Sequence, residues 1–410
     1  MLNGLLPGPQ LFKLFLSWMT NIQPMLIKPV AITCILASSC VFSYAQSIRI
    51  QQGINMPQDT AVSSQLTRSL NGFLGQKEKP NKENAFVLKD DLLETSALLD
   101  EMKGMEQNAR LKDNDFYKPY LANVVKLNDT LFVLQLSYIG IMDNTPLLRA
   151  GFRLMAKKRG SQFYFFSPLK QNTIGWRMKK LGRITYHFKD TLDLNDAKVY
   201  QRTVNYYDKK LKATNSPIEF YYCNNFPEVL QMLGVDYKAD YNGSKSNVLT
   251  AHENNINLTI NGWNSNLHRF DPHDLWHERL RAVMSSDVIN RPVDEGCAYL
   301  YGGSWGYTWA EVLIKFKKYV ADNPNADWLS LYIEVKNFEG GEKPLKVPYV
   351  LNALITQKIE KEKGFAAVMD LLSCGKREQG DENYFKALEK ITGISKADFN
   401  AKMWKLIKSA

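Results

Sequence analysis

Cysteine is scarce in this sequence, and that scarcity limits the kinds of fold it can adopt. Five of the 410 residues are Cys, and two of these lie in an apolar N-terminal stretch. The other three, Cys223, Cys297 and Cys374, cannot all pair within one chain, which excludes a disulfide-based scaffold. A single bridge, such as one between Cys223 and Cys297, stays open, although a buried free thiol is the commoner state.

Long apolar runs and nucleic-acid motifs are also missing. Beyond the N-terminal region no segment reaches the roughly 18 apolar residues of a membrane helix, so we predict no membrane span in the mature chain. Lys and Arg outnumber Asp and Glu, 52 to 42, but they are dispersed and accompany no zinc-finger, RNA-binding or helix-turn-helix motif. We predict no nucleic-acid partner. The densest basic runs, 157–159 and 179–180, fit solvated sheet edges, and contact with an anionic envelope polymer is the alternative.

Residues 1–45 have the layout of a secretory signal peptide. Lys28 precedes the apolar run Pro29–Phe42, and Ser43-Tyr44-Ala45 supplies small residues at the −3 and −1 positions of a cleavage point before Gln46. This pattern predicts an exported protein that is periplasmic or extracellular, either free or associated with the cell envelope.

The start and the fate of this segment leave alternatives open. The layout fits best if synthesis begins at Met25, so that residues 1–24 are an over-extended start. An uncleaved signal anchor is one alternative. A lipoprotein that uses Cys40 is another, although the Leu expected three residues before that Cys is missing.

The first part of the mature chain predicts a linker and an α+β domain. Residues 46–84 are polar and punctuated by Gly, Pro and Ser, which is typical of a linker. Residues 85–190 begin with an amphipathic helical pattern within Asp90–Leu111 and continue with strand-like runs between turn residues. We predict a helix plus an antiparallel sheet, acting as an accessory domain. The strand candidates are Leu131–Tyr138, Arg149–Met155, Gln162–Ser167 and Gly182–Phe188.

The rest of the chain, residues 191–410, predicts a mainly helical domain with a small edge sheet, so the whole protein belongs to the α+β class. We place the boundary between the two domains near Asp190. The chain is mainly helical from Asp271 onward. Before that point lie helix candidates at Leu192–Leu211 and Asn225–Gly234, and strand candidates at Ile218–Cys223 and Ile256–Ile260.

Histidine is rare, yet three of the five His residues fall close together, at His268, His273 and His277. His273 and His277 are four residues apart, so on a helix their rings project from one face, one turn apart. Two imidazoles need this geometry to share a Zn²⁺ ion. Asp271 is a suitable N-cap and Pro272 suits the first helical position, which marks the start of that helix.

The residues around the His pair add two carboxylates. In the His-Glu-x-x-His pattern the second residue is the general base that takes a proton from the metal-bound water, and here that residue is Asp274. Asp is one methylene shorter than Glu, which shortens its reach to the water by about 1–1.5 Å. Downstream, Glu295 opens the sequence Glu-Gly-Cys-Ala.

Together these motifs resemble the gluzincin-type zinc metallopeptidases, which combine His-Glu-x-x-His with a second helix bearing Glu-Gly-x-Ala. The resemblance covers residues 192–410 and implies a gluzincin-like fold that binds Zn²⁺ through His273, His277 and Glu295. It also implies that Asp274 acts as the general base. The change from Glu to Asp is a departure from the family pattern and bears on turnover more than on fold.

Simpler interpretations of the same residues stay open. Asp274 fits a capping carboxylate, the two His residues fit ordinary helix positions without metal, and Glu295 fits a carboxylate favoured by a helix N-terminus. His268 is a spare ligand candidate. The family also uses a Tyr or His to stabilise the oxyanion, for which the candidates here are Tyr299, Tyr301 and Tyr307.

Three functions are compatible with this pattern. The first is an exported zinc metallopeptidase that cleaves peptide or protein substrates with a metal-activated water. The second is a gluzincin-like binding or scaffold protein of the cell envelope, with weak or no turnover because Asp274 is short. The third is an envelope scaffold in which the first domain acts and the His cluster is incidental.

Overall fold

The computed structural model describes residues 47–243, 247–263 and 270–410. The predicted signal peptide, with its two cysteines, and His268 lie outside the described residues. The described part forms one compact unit. Its class is α+β with a mainly helical C-terminal part, which confirms the predicted class.

The helices are numbered in chain order. They are α1 (Thr60–Gly75), α2 (Leu92–Met102), α3 (Leu169–Asn172), α4 (Leu194–Leu211), α5 (Phe226–Leu233), α6 (Pro272–Arg281), α7 (Arg291–Gly302), α8 (Trp309–Asp322), α9 (Trp328–Ile333), α10 (Val347–Lys363), α11 (Phe365–Leu372), α12 (Glu382–Thr392) and α13 (Phe399–Ser409).

The strands follow the same rule. They are β1 (Arg49–Ile50), β2 (Lys118–Lys126), β3 (Leu131–Met142), β4 (Thr145–Arg159), β5 (Gln162–Phe166), β6 (Arg177–Leu181), β7 (Ile184–Phe188), β8 (Ile218–Tyr222), β9 (Val235–Lys238), β10 (Val248–Glu253), β11 (Ile256–Asn261), β12 (Asn337–Glu339) and β13 (Leu345–Lys346).

The first sheet has the order β1-β2-β3-β4, and both β5 and β9 pair with the far edge of β4. All its pairs are antiparallel except β1 with β2. The β3–β4 hairpin turns at Asp143 and Asn144, both of which have positive φ, as a type I′ turn requires. Thr145 and Pro146 come next and belong to β4.

The second sheet has the order β10-β11-β8-β7-β6 and is mixed. Strand β8 is parallel to both β7 and β11, and the two edge strands are antiparallel to their neighbours. The sheet is larger than the small edge sheet that we predicted, because β6 and β7 join it from the N-terminal side and β10 pairs with β11.

Two hydrophobic cores share the second sheet. Ile218 and Phe220 of β8 belong to the core of the helical C-terminal part. Tyr221, the residue between Phe220 and Tyr222, belongs to the core that α1, α2 and the first sheet form. Since successive strand residues point to opposite faces, each face of the sheet serves one core. Each sheet also contains strands from both sides of Asp190, where we placed the domain boundary.

A packed helix occupies part of the segment that we predicted as a linker, residues 46–84. Helix α1 buries Leu66, Leu70 and Phe73 at helical spacing. Asp59 caps it by accepting hydrogen bonds from two backbone N–H groups of the first turn. The polar composition concealed this stripe because only one side of the helix faces a core.

The three cysteines of the described residues are free thiols, which confirms the free-thiol alternative. Cys223 and Cys297 lie in different cores. Burial raises the pKa of the Cys374 thiol to about 11, which makes it a weak nucleophile at neutral pH. No helix within the described ranges is long and apolar enough to cross a membrane.

Candidate metal centre

Helix α6 carries the two His residues that the sequence singled out. Asp271 caps the helix by accepting a hydrogen bond from the His273 backbone N–H at 2.9 Å, and Pro272 occupies the first turn. This start places His273 and His277 one turn apart on the same face. Trp276, next to His277, is fully buried and anchors the helix in the core.

Helix α7 carries Glu295 and lies very close to its neighbours. A Cβ atom on Gly302 would lie 2.6 Å from the His273 backbone nitrogen, and one on Gly296 would lie 2.5 Å from the Cβ atom of Asn352 in α10. Both distances are too short for real side chains, so glycine permits these crossings. Packing therefore accounts for Gly296, the Gly of the Glu-Gly-x-Ala motif, because the absence of a side chain there lets α7 dock on α10.

The close crossing brings together the three residues that we predicted as metal ligands. Their ligand atoms all lie within 4.8 Å of one another. His273 Nε2 lies 3.2 Å from His277 Nε2 and 3.4 Å from Glu295 Oε2, and His277 Nε2 lies 4.0 Å from the same oxygen. Tetrahedral ligands with bonds of about 2.0–2.1 Å are about 3.3 Å apart. The group therefore has the donor types and spacing to hold a metal ion.

The outer nitrogen of each ring is held by an acceptor. His273 Nδ1 lies 2.8 Å from the carbonyl oxygen of Gly303, which can only accept, so Nδ1 carries the proton. His277 Nδ1 lies 2.9 Å from an Asp294 oxygen, and the other oxygen of that carboxylate accepts a hydrogen bond from the Trp276 indole at 3.1 Å. In neutral rings both Nε2 atoms then present lone pairs to the same point, as ligands of one cation do.

Electrostatics at the centre also favour a positive charge between the ligands. Burial raises the pKa of the Glu295 carboxyl, but the hydrogen bond to His273 and the nearby imidazoles outweigh it, and the pKa falls to about 2. For the His273 imidazole, burial alone would lower the pKa, but the contacts with Glu295 outweigh burial and raise the pKa to about 9. A bound cation would replace that proton, because metal ligation requires a neutral imidazole.

Asp274, the predicted general base, follows His273 on the same helix and is exposed. It lines the same cleft as the three ligands. Because Asp274 is exposed, the part of the cleft that it lines is open to solvent.

The three tyrosines that we considered for oxyanion stabilisation lie outside the lining of this cleft. Tyr299 is buried, with its ring 5.8 Å from that of His273. Tyr301 donates a hydrogen bond to Glu360 at 2.6 Å. Tyr307 is half-buried, with Lys315 over its ring. His268, the spare ligand candidate, is outside the described residues.

Two residues that sequence reasoning missed hold the ligands in place. Asp294 orients His277, and Gly303 orients His273 through its carbonyl oxygen. Asp294 lies on the buried face of α7, three residues before Cys297 and four before Ala298. A carboxylate on a buried face indicates that a polar partner lies beside it. Gly303 has φ +78°, and a Cβ there would clash with the Tyr307 carbonyl oxygen at 2.0 Å. That position therefore requires glycine.

No protein-family model matches this chain, and no curated protein is detectably similar to it in sequence. Helices α6 and α7 bring together a His-His-Glu group that could hold a metal ion, supported by Asp294 and Gly303.

Proposed function

We propose that the protein is an exported zinc-dependent hydrolase that cleaves peptide bonds with a metal-activated water. The observation that carries the proposal is the convergence of two Nε2 lone pairs and one carboxylate oxygen in an open cleft. Structural zinc sites are closed by four protein ligands, whereas catalytic sites keep three and leave one position for water. Two His and one Glu are a donor set that catalytic zinc sites use.

The roles of the residues follow from their positions. His273, His277 and Glu295 would hold the ion, which when bound supplies a Lewis acid for the water and for the scissile carbonyl. Asp274 would accept the proton of the attacking water and return it to the leaving amine. Asp294 and Gly303 would keep both imidazoles in the tautomer that leaves Nε2 free. Export rests on the N-terminal sequence pattern alone.

A second candidate is a zinc-containing binding protein without useful turnover. It is favoured by one observation, the Asp at position 274 in place of Glu. A carboxylate that is shorter and also exposed is less firmly held within about 2.6–3.2 Å of the water, the distance that proton transfer requires.

Metal content and hydrolysis, measured on the same preparations, separate the two candidates. The purified protein would be analysed for zinc and incubated with a mixed peptide library, alongside Asp274→Asn and Asp274→Glu. We expect about one zinc per chain in all three. General acid–base catalysis contributes about 10²–10⁴-fold, so Asp274→Asn should lose at least that much cleavage, and Asp274→Glu should retain or increase it.

Two results would change the conclusion. One zinc per chain without cleavage, even in Asp274→Glu, would support the binding protein. Absence of zinc after incubation with the metal would remove the basis of both candidates.

A further inference from the structure

The cleft over His273, His277 and Glu295, the metal-ligand group, has an uneven distribution of charge. Its volume is about 610 Å³, which is within the range of small-ligand sites. Three carboxylates line it: Glu295 of the metal-ligand group, Asp294 behind His277, and Asp274, the predicted base. Four cationic side chains line the remainder: Arg281, Arg291, Lys376 and Arg377.

Two of the three carboxylates are already engaged. Asp294 is buried and accepts hydrogen bonds from His277 and Trp276. Glu295 is close to both imidazoles. Asp274 alone is exposed. Most of the negative charge is therefore engaged by the His pair and Trp276.

Two of the cations are exposed and only loosely paired with the carboxylates near them, Glu278 and Glu295. Arg281, at the end of α6, is exposed and has no ion pair within the described residues. The Arg291 side chain is 78% exposed, and its contact with Glu295 is 3.5 Å long. A guanidinium offers two parallel N–H donors that match a carboxylate, so each of these residues is available to a carboxylate ligand.

The other two cations differ in how firmly they are held. Arg377 donates two hydrogen bonds to the buried Asp381 and one to the Ile333 carbonyl oxygen, which fixes its position on the wall of the cleft. Lys376 pairs with Asp287 at 2.7 Å, but both side chains are mostly exposed, and such a surface pair is worth little. A ligand carboxylate can replace Asp287 at small cost.

The cations also come from separate parts of the chain. Arg281 ends α6, Arg291 begins α7, and Lys376 and Arg377 follow α11. They converge only at the metal-ligand group. A cleft with cationic walls concentrates anionic ligands and speeds their association, and it repels cationic ones.

We propose that this cleft selects acidic peptides, with Asp or Glu side chains next to the bond that lies over the metal-ligand group. The identification of that bond as scissile rests on the proposed function, whereas the selective binding does not. Arg281 and Arg291 are the specificity residues, because they carry the exposed guanidinium groups.

Peptide binding tests this inference without relying on turnover. Labelled peptides of equal length would be prepared in an acidic form, in a form with Gln and Asn at the same positions, and in a basic form. Their affinities would be measured by fluorescence anisotropy, with zinc-loaded protein and with protein treated with a chelator. One charge-assisted hydrogen bond is worth about tenfold in affinity, so we expect the acidic peptide to bind at least about tenfold more tightly than its amide counterpart.

The double variant Arg281→Gln/Arg291→Gln should lose that preference. Its matched control is Lys179→Gln/Lys180→Gln, which removes the same charge from the exposed edge strand β6, outside the cleft. The control should bind the acidic peptide as the unaltered protein does. Thermal unfolding of each variant verifies that the fold is intact.

The outcomes separate this inference from the proposed function. Equal binding of acidic and amide peptides, or unchanged preference in the double variant, would overturn the acidic selectivity, and zinc-dependent cleavage of the neutral peptide would still support hydrolysis. Preference for the acidic peptide without zinc or cleavage would support the selectivity and overturn hydrolysis. A sulfated polysaccharide would serve as an anionic competitor of the acidic peptide. If it displaced the peptide equally well from the arginine double variant and from the lysine control, the cleft would not be the binding site and the inference would fail.

Discussion

Two clefts within the described residues each contain a histidine beside a carboxylate, and they differ in whether the Nδ1 atom of the ring is held as well. In the cleft between α2 and the second sheet, His187 Nε2 lies 2.6 Å from Glu219, and the ring stacks on Tyr221 with centroids 4.2 Å apart. At the candidate metal centre, Glu295 likewise lies 3.4 Å from His273 Nε2, but the outer Nδ1 atoms of both rings are also held, by Gly303 and Asp294.

The comparison shows that closeness of His and carboxylate does not define a metal site. The carboxylate at His187 uses the Nε2 atom, and no second His or Cys lines that cleft. In the candidate metal centre further acceptors lie behind the rings, so two Nε2 atoms and Glu295 face one point. The two sites are assembled differently: the crossing of α6 and α7 at Gly302 sets Glu295 against two rings of another helix, whereas His187 and Glu219 lie on paired strands of one sheet.

The largest expected effect separates the two clefts by metal content. His277→Ala removes one of three ligands and should abolish stoichiometric zinc binding. His187→Ala removes an equally buried His from a pair with a carboxylate, and it should retain about one zinc per chain. Elemental analysis after gel filtration measures both, and thermal unfolding verifies folding. Equal zinc loss in both variants, or in neither, would contradict the distinction between the clefts.

The next effect concerns the carboxylate behind the His277 ring. Asp294→Asn keeps the shape of the side chain but weakens the acceptor that holds His277 Nδ1. Loss of such an outer-shell partner costs about 10–100-fold in metal affinity. Competition with a chromophoric chelator measures that affinity.

Glu219→Gln is the matched control for Asp294→Asn. It makes the same chemical change beside His187 and should leave zinc affinity unchanged. If Asp294→Asn binds zinc as tightly as the control, then Asp294 has no role in positioning His277.

The smallest effect concerns the glycine that permits the helix crossing. In Gly302→Ala, the new Cβ atom would lie 2.6 Å from the backbone of α6, so α6 and α7 must separate. Overpacking of this kind costs about 1–3 kcal/mol, and we expect the free energy of unfolding to fall by that amount, with weaker zinc binding. Chemical denaturation measures the change.

Gly175 provides the control for this substitution. It lies beside Trp176 at the other cleft, and a Cβ atom there would have no neighbour within 4 Å. Gly175→Ala should therefore leave stability nearly unchanged. A similar loss in both variants would mean that the crossing at Gly302 is not the cause.

Much of the fold could be predicted from local patterns. The strands β3, β5, β7, β8 and β11 and the helices α4 to α6 lie close to the predicted segments, because alternation and helical spacing record which face is buried. Helix α10 lies in the part that we predicted to be mainly helical, but the sequence did not single it out as an individual helix. It is buried on most of its surface and therefore lacks the amphipathic spacing that identifies a helix from sequence. The placement of β9 beside β4 depends on pairing across a long sequence separation, which local patterns do not contain.

For the site, the sequence by itself determined the components. The spacing of His273 and His277, the Asp271 cap and the downstream Glu295 follow from helix geometry, in which residues four apart share a face. Only the tertiary structure decided that Glu295 meets the two rings, that Asp294 and Gly303 hold their outer nitrogens, and that cations from distant segments surround the cleft. The physical reason is that helix periodicity acts over one or two turns, whereas the distance between α6 and α7 is set by close packing at Gly302.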